Sequence, residues 1–447
     1  MNQGYRYLLL LLMSLALLGC AESNREKATG KANIRAINAV VGAPSVNFLI
    51  EERNLDAVPF KNALAQRFDD LSYDFRFELR LPGGTAPKVL ATQFADVAAN
   101  HDYVFVLDGT VANPQIRLWD TEERQWDGSE TVFEIVLAHL NDTLGPVDVY
   151  FAAPATQPVA GNEVATLDNG ERAAPMEFSG GDYELMLTPA GDPQTVLYTS
   201  GSRTWQSAAT SDVIIFDKDP TVTGDVNLRQ VTAGGNSVEL SDPRFPPQAQ
   251  FINAAFGSGN IDIAEDGEFN PPLVTDLAFG ERTADIDVSP AAADYTYTAA
   301  GNMGAILLED TQTNLSGLHV NRLLVGPPGD LAVISTTSAR RPFSTNPRFA
   351  LTHAAANFDN LDVYLLPAGN SVDDSNPTSP NVPFGFASGM GSVAADSYEL
   401  SVTLPGEKTV VAGPLALELA AGDVVETVIL DSADPNAAQI LTYSNAP

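Results

Sequence analysis

Residues 34–50 read IRAINAVVGAPSVNFLI, and the chain writes this pattern four times. The other copies are Ile135 to Phe151 (IVLAHLNDTLGPVDVYF), Gln250 to Ala264 (QFINAAFGSGNIDIA) and Phe349 to Leu365 (FALTHAAANFDNLDVYL). Each is an apolar run ending in Asn or His, a turn-rich gap, and a second alternating run centred on Asn or Asp. Asn38 to Asn47, His139 to Asp148, Asn253 to Asp262 and His353 to Asp362 are each nine apart. Successive copies of the Asn/His anchor are separated by 101, 114 and 100 residues. These are domain-sized periods, whereas solenoid turns repeat every ~20–50 residues. The expectation is four tandem modules: 33–128, 129–242, 246–342 and 346–447.

A second block recurs in each module: Phe77-Glu78-Leu79-Arg80-Leu81, Tyr183-Glu184-Leu185-Met186-Leu187, Tyr295-Thr296-Tyr297 and Tyr398-Glu399-Leu400-Ser401-Val402. Its alternation has the period of two that a half-buried strand requires, and Gly or Pro follows to turn the chain. The leading aromatic should enter the core with the apolar residues beyond it. A third block is continuously apolar: Tyr103 to Leu107, Val213 to Phe216, Leu331 to Ile334 and Val424 to Leu430. Such runs suit central strands covered on both faces. With 34 Gly and 30 Pro as punctuation, the fold class is all-β, four tandem immunoglobulin-like β-sandwich modules. Pro-rich joints at Ser241 to Pro247 and Arg340 to Arg348 predict a semi-rigid rod. Loops at the sandwich ends, among them 154–174 and 373–383, are the expected places for binding.

The first residues read as an address. Arg6, the eleven-residue apolar run Leu8 to Leu18, and Gly19 before Cys20 form a signal peptide over 1–19. The apolar run is shorter than the roughly 20 residues of a spanning helix. Gly19-Cys20 resembles a bacterial lipobox, which makes Cys20 the lipidated mature N-terminus and 20–32 a flexible tether. Cys20 is the chain's only cysteine, so no internal disulfide forms. Ala21 after the cysteine favours the outer membrane, with the module array on its periplasmic or cell-surface face. The 57 acidic residues against 24 basic ones give a net charge of −33, which argues against nucleic-acid binding and leaves the acyl anchor to hold the membrane.

The His/Asn anchor, the Val-Asp-Val-Tyr strand and the later Tyr-Glu-Leu strand resemble the bacterial family named domain of unknown function 4397. His139 with Val147-Asp148-Val149-Tyr150 and His353 with Leu361-Asp362-Val363-Tyr364 match best; Asn38, Asn47 and Asn253 depart from the pattern. The resemblance implies secreted or surface β-sandwich modules, often lipid-anchored and in tandem. It implies no activity and no catalytic residues.

His139 with Asp148 and His353 with Asp362 invite an acid–base or metal reading if they lie on adjacent strands. Asn at two of four anchors cannot serve as a general base, so a structural role for Asn38, Asn47, His139, Asp148, Asn253, Asp262, His353 and Asp362 is expected. His101 and His319 have no counterparts and read as loop or surface residues. No Gly-x-Ser-x-Gly, His-Glu-x-x-His or EF-hand spacing occurs, and no cofactor or metal is expected. Trp119, Trp126 and Trp205 are candidate sugar-stacking residues, and 217–219 and 373–376 candidate calcium loops. The sequence points to a non-catalytic structural or adhesive lipoprotein of the cell envelope, binding a protein or glycan. The alternative is an envelope enzyme or accessory acting on polysaccharide.

Overall fold

The computed structural model describes residues 27–84 and 86–445, so the signal peptide and Cys20 lie outside the described residues. The described chain is all-β, with strands gathered into eight sheets, two per module. Module one contains β1 (Lys31–Asn38), β2 (Val46–Ile50), β3 (Arg53–Val58), β4 (Ala63–Asp69), β5 (Ser72–Leu79), β6 (Lys88–Asp96), β7 (His101–Gly109) and β8 (Pro114–Glu122). Lys31 and Ala32, assigned above to the tether, are thus already strand. One sheet runs β4-β1-β7-β8, the other β3-β2-β5-β6. β1 lies between an antiparallel β4 and a parallel β7, with Asn38 opposite Leu107.

The same two orders recur in every later module, and module two adds a ninth strand, Ser237–Glu239, to the sheet that carries β1. The counterparts of β1 are Val132–Leu140, Gln248–Asn253 and Arg348–His353; those of β7 are Thr210–Phe216, His319–Val325 and Val424–Asp431. Each module is therefore a two-sheet sandwich whose first strand is central in its sheet.

Alternation fills each core. In module one Ile34, Ala36, Phe48, Phe75, Phe77, Tyr103, Phe105 and Leu107 form one cluster, with the Phe75 and Phe105 rings stacked at 4.0 Å. Of the recurring aromatic heads, Phe77, Tyr295 and Tyr398 are buried in their cores and half-buried Tyr183 packs against that of module two.

The remaining faces of β1 and β7 explain the continuously apolar runs. Ile37, Ala39, Val104 and Val106 point away from the core of module one and meet Ala138, Leu140, Ile214 and Phe216 of module two. Every one of these side chains is at most 2% exposed. Phe60 and Phe216 meet edge to face across this seam, 6.0 Å apart. Modules three and four repeat the arrangement, with Ile252, Ala254, Leu323 and Val325 against Ala354, Val428 and Leu430. The cover for each β1–β7 sheet is thus the same sheet of the neighbouring module.

The two pairs also touch. Val222 bridges Leu318, the Thr223 amide donates to the Gly317 carbonyl at 3.0 Å, and Arg341 Nη1 donates to the Val41 and Ala43 carbonyls at 2.6 Å each. Arg341 also lies 5.0 Å over the Phe60 ring. The rod expected from the Pro-rich joints is therefore corrected: the modules form two face-packed pairs in contact with one another. Pro restricts the joint backbone, but the apolar outer faces decide how the modules sit.

Ile214 tests this packing. On an independent sandwich it would face water, and Ile214→Asp would shift stability by no more than about 0.5 kcal/mol. In the seam it places a carboxylate among buried apolar groups, so the variant should lose at least the ~2–5 kcal/mol typical of deleting a buried aliphatic side chain. Chemical denaturation followed by Trp205 fluorescence would measure the loss.

Candidate functional site

The repeated polar residues come first, because their spacing suggested chemistry. Each anchor lies at or one residue before the end of the first strand of its module and is fully buried. The Asn38 side-chain oxygen accepts from the Val40 amide (3.0 Å) and its nitrogen donates to the Val58 carbonyl (3.1 Å). Asn253 does the same with the Ala255 amide (3.3 Å) and the carbonyls of Gly259 and Leu277 (2.9 and 3.1 Å). His139 reproduces it with an imidazole: Nδ1 accepts from the Asn141 amide at 3.1 Å and Nε2 faces the Gly145 carbonyl at 3.2 Å. His353 Nδ1 accepts from the Ala355 amide at 3.3 Å. Asn and His interchange here because each offers one acceptor and one donor about the same distance from the backbone.

This geometry requires neutral imidazoles with a lone pair on Nδ1. Burial holds both histidines below the ordinary range, His353 at about 4, while backbone contacts with Gly145 and Phe358 act in the opposite direction.

The Asp position is a second bracket. Asp148 accepts from the Gly191 amide (2.7 Å) and the Thr166 hydroxyl (2.5 Å). Asp262 accepts from the amides of Gly301 and Asp276, and Asp362 from those of Gly406 and Asn381, all at 2.7–2.8 Å. Each carboxylate thus ties the turn after the fifth strand of its module to the third-strand region. In module one, where Asn47 is half-buried, the Gly84 amide bonds the Leu81 carbonyl instead. The His–Asp pairs do not lie on adjacent strands: each His lies on the β1 counterpart of one sheet, and each Asp lies on the β2 counterpart of the opposite sheet.

A third element escaped the sequence reading. Lys61, Gly170, Gly280 and Gly385 all have positive φ (62, 85, 78 and 81°) and donate their amides to the carbonyl of their anchor at 2.7–2.9 Å. A Cβ on Gly170 would lie 2.4 Å from Arg117 of module one, and one on Gly280 would lie 3.0 Å from Leu441 of module four. Gly suits both the conformation and the close approach of Arg117 and Leu441 from the neighbouring module. The shared Gly-Glu-Arg of 170–172 and 280–282 was the available signal.

Buried charge is concentrated at one end of each seam. Arg35, 1% exposed, donates from Nε to Asp102 Oδ1 at 3.0 Å and reaches Asp212 Oδ2 of module two at 2.5 Å. Arg172 pairs with the other oxygen of Asp212 at 3.1 Å. Burial alone would lower the Arg35 pKa, but Asp212 and Asp102 outweigh it and raise it above the ordinary value. In the second seam Asn321 donates to both oxygens of Glu426 at 2.8 Å, and Arg282 donates to Asn445 Oδ1 at 2.6 Å. Burial raises the Glu426 pKa. Asp212, Asn321 and Glu426 occupy the same place, three residues before the partner of the anchor on the β7 counterparts.

The concave surfaces lie along these module boundaries. A cavity of about 340 Å³ in the first seam is lined by Arg35, Arg124, Trp126, Glu134, Arg172 and Asp212. One of about 380 Å³ in the second is lined by Arg348, Ser388, Met390, Glu426 and Thr427 among others. A third, about 440 Å³, opens where modules two, three and four meet.

The three tryptophans do not form one platform. Trp205 is in the core of module two, Trp119 packs at the first seam with Arg172 5.3 Å over its ring, and half-buried Trp126 lies under Arg124 at 3.9 Å. Within 217–219, Asp219 pairs with Lys61 at 3.2 Å and Asp217 accepts from the Asp142 amide at 2.8 Å. Among the described residues no group of three His, Cys, Asp or Glu side chains is arranged to hold a metal ion. His101, half-exposed, meets Asp120 at 2.7 Å. His319, expected at the surface, is 7% exposed and begins a central strand. The chain matches no protein-family model and no curated protein.

The anchor geometry predicts a pH effect. The His353 pKa is about 4 in the folded chain and about 6.5 in an unfolded one. The unfolded state therefore takes up the proton first as pH falls. Stability is complete above pH ~6.5, declines toward pH ~4 and then levels, a loss on the order of 3 kcal/mol. His353→Asn keeps the acceptor that the Ala355 amide uses and should fold, with a shallower decline between pH 7 and 4.5. Parallel declines in denaturation midpoint for the two proteins would refute the anchor role.

Proposed function

We propose that this chain is a non-catalytic binding or structural protein of the cell envelope, tethered to the outer membrane through a lipidated Cys20. One observation carries the non-catalytic part. The repeated His, Asn and Asp residues whose spacing suggested chemistry are spent on backbone bonds within their own modules. In the first seam the central carboxylates Asp102 and Asp212 are held by Arg35, which opposes their use as a general acid and base. The lipobox-like Leu17-Leu18-Gly19-Cys20 supports the anchor. The resemblance to domain of unknown function 4397 belongs to the same reading and rests on the quoted residues.

In this reading ligand contact is made at module boundaries as well as at sandwich-end loops, because the boundaries hold the cavities. The charged side chains in their walls, Arg35, Asp212, Glu426 and Arg282 among them, suit a hydrated partner such as a glycan or a polar protein loop better than an acyl chain. The strongly acidic surface serves solubility and keeps the modules off anionic lipid.

Protease shaving of intact cells beside a Cys20→Ala control tests the location. The surface form of the reading predicts loss of all four modules from intact cells and release of the control as soluble protein. Protection until the outer membrane is opened would direct the search to a periplasmic partner. A Cys20→Ala protein that stays membrane-bound would overturn the anchor.

A further inference from the structure

The cavity at the meeting of modules two, three and four differs from the seam cavities in charge. Its walls include Lys218, Arg282 and Arg340 against one carboxylate, Asp285. The second-seam cavity balances Arg348 with Glu426, and the first-seam cavity has more carboxylates than guanidinium groups. In a chain of net charge −33, this wall gathers three cations, whose acidic partners are Asp225, Glu426 and Asp285.

The cations are held in position. Arg340 forks onto Asp285, with contacts of 2.6 and 2.5 Å. Arg282 is fixed by Asn445 Oδ1 at 2.6 Å and the Ser444 carbonyl at 3.0 Å. Lys218 is exposed at the rim, 2.9 Å from Asp225.

A second observation is independent of charge. His319 Nδ1 and Gln250 Oε1, both on this wall, are buried and have no hydrogen-bond partner among the described residues. Their residues are only 7% and 9% exposed. Asp285 Oδ1 is 3.9 Å from His319 Nδ1, beyond bonding reach. Burial holds the ring neutral, so one of its two nitrogens carries a lone pair. Buried polar atoms are nearly always satisfied, so two unpartnered polar atoms on residues of one cavity wall call for a hydrogen-bonding partner there.

Cations and unpartnered polar atoms on one wall define the occupant. A phosphate dianion would bring a second negative charge up to Asp285. A neutral sugar would leave the guanidinium groups without an added counter-charge. We propose that the junction cavity binds a small monocarboxylate bearing a neighbouring hydroxyl or ammonium donor, the chemistry of a sugar acid or an amino acid. The carboxylate faces Arg282, Arg340 and Lys218, and the donor faces His319 Nδ1 and Gln250 Oε1. The volume, about 440 Å³, falls in the range of small-molecule sites. The proposal is independent of where the protein resides. Because three modules build the wall, occupancy should also tighten their association.

Titration calorimetry and thermal melts of the full chain in detergent test it, with glucuronate, lactate, serine, glucose and inorganic phosphate as probes. Glucuronate, lactate or serine should bind and raise the melting temperature, and which of them does so identifies the donor as hydroxyl or ammonium. Glucose and phosphate should bind at least roughly ten-fold more weakly. Lys218→Ala alters an exposed side chain and Gln250→Leu removes one acceptor; each should weaken binding roughly five- to ten-fold. Melts without ligand show whether the variants are folded. The proposal is overturned if no carboxylate binds, if phosphate or glucose binds as tightly, or if both variants are folded and bind as the parent does.

Discussion

Two central strands in every module are apolar on both faces, and the rest of the molecule follows from that constraint. A sandwich can cover one face of its sheet with its other sheet. The outward side chains of β1 and β7, Ile37, Val104 and Val106, remain to be covered. At about 25 cal/mol per Å² of apolar surface removed from water, a second identical face is the strongest cover available, and the repeat supplies one. Module one takes module two, and module three takes module four through the corresponding sheets. Duplication thus supplied the sandwiches and their interfaces together.

The polar ends of the seams fix how the faces align. A purely apolar contact tolerates sliding, whereas Arg35 between Asp102 and Asp212 is satisfied in one arrangement only. Buried ion pairs are weak evidence for net stability, because desolvation offsets their attraction. Their effect here is on register. The second seam achieves it with different chemistry at the same position, Asn321 on Glu426, so the position rather than the charge is what the repeat retains. The anchors follow the same logic, with amide and imidazole serving one bonding pattern.

The period-two alternation and the constant nine-residue spacing made the module count and the all-β class legible, because both report on local backbone geometry. The continuously apolar third block correctly implied cover on both faces in modules one, two and four; in module three Leu331 to Ile334 falls at a half-exposed edge strand, and the covered central strand is His319–Val325. What covered them was not legible, since a strand run does not say whether a sheet, a helix or another module lies over it. Expecting a rod from Pro-rich joints gave the linkers a decision that Ile214, Phe216 and their partners make. The His–Asp pairs looked adjacent because they are close in sequence, but the chain crosses between sheets inside those nine residues. Lys61 hid the positive-φ position it shares with Gly170, Gly280 and Gly385, because a lysine there gives no signal of backbone conformation. The junction cavity was out of reach altogether: its residues come from three modules and share no motif.

The measurement that bears most directly on the paired-module account is small-angle X-ray scattering of the soluble chain. A compact body of this length has a radius of gyration of about 22 Å, and the paired modules predict a value close to it with a single-peaked distance distribution. An end-to-end array of four sandwiches would give a value nearer twice that, with a distribution extended along one axis. The compact result would place the seams at the centre of the molecule's architecture. The extended one would contradict the account, and the three boundary cavities would fall with it.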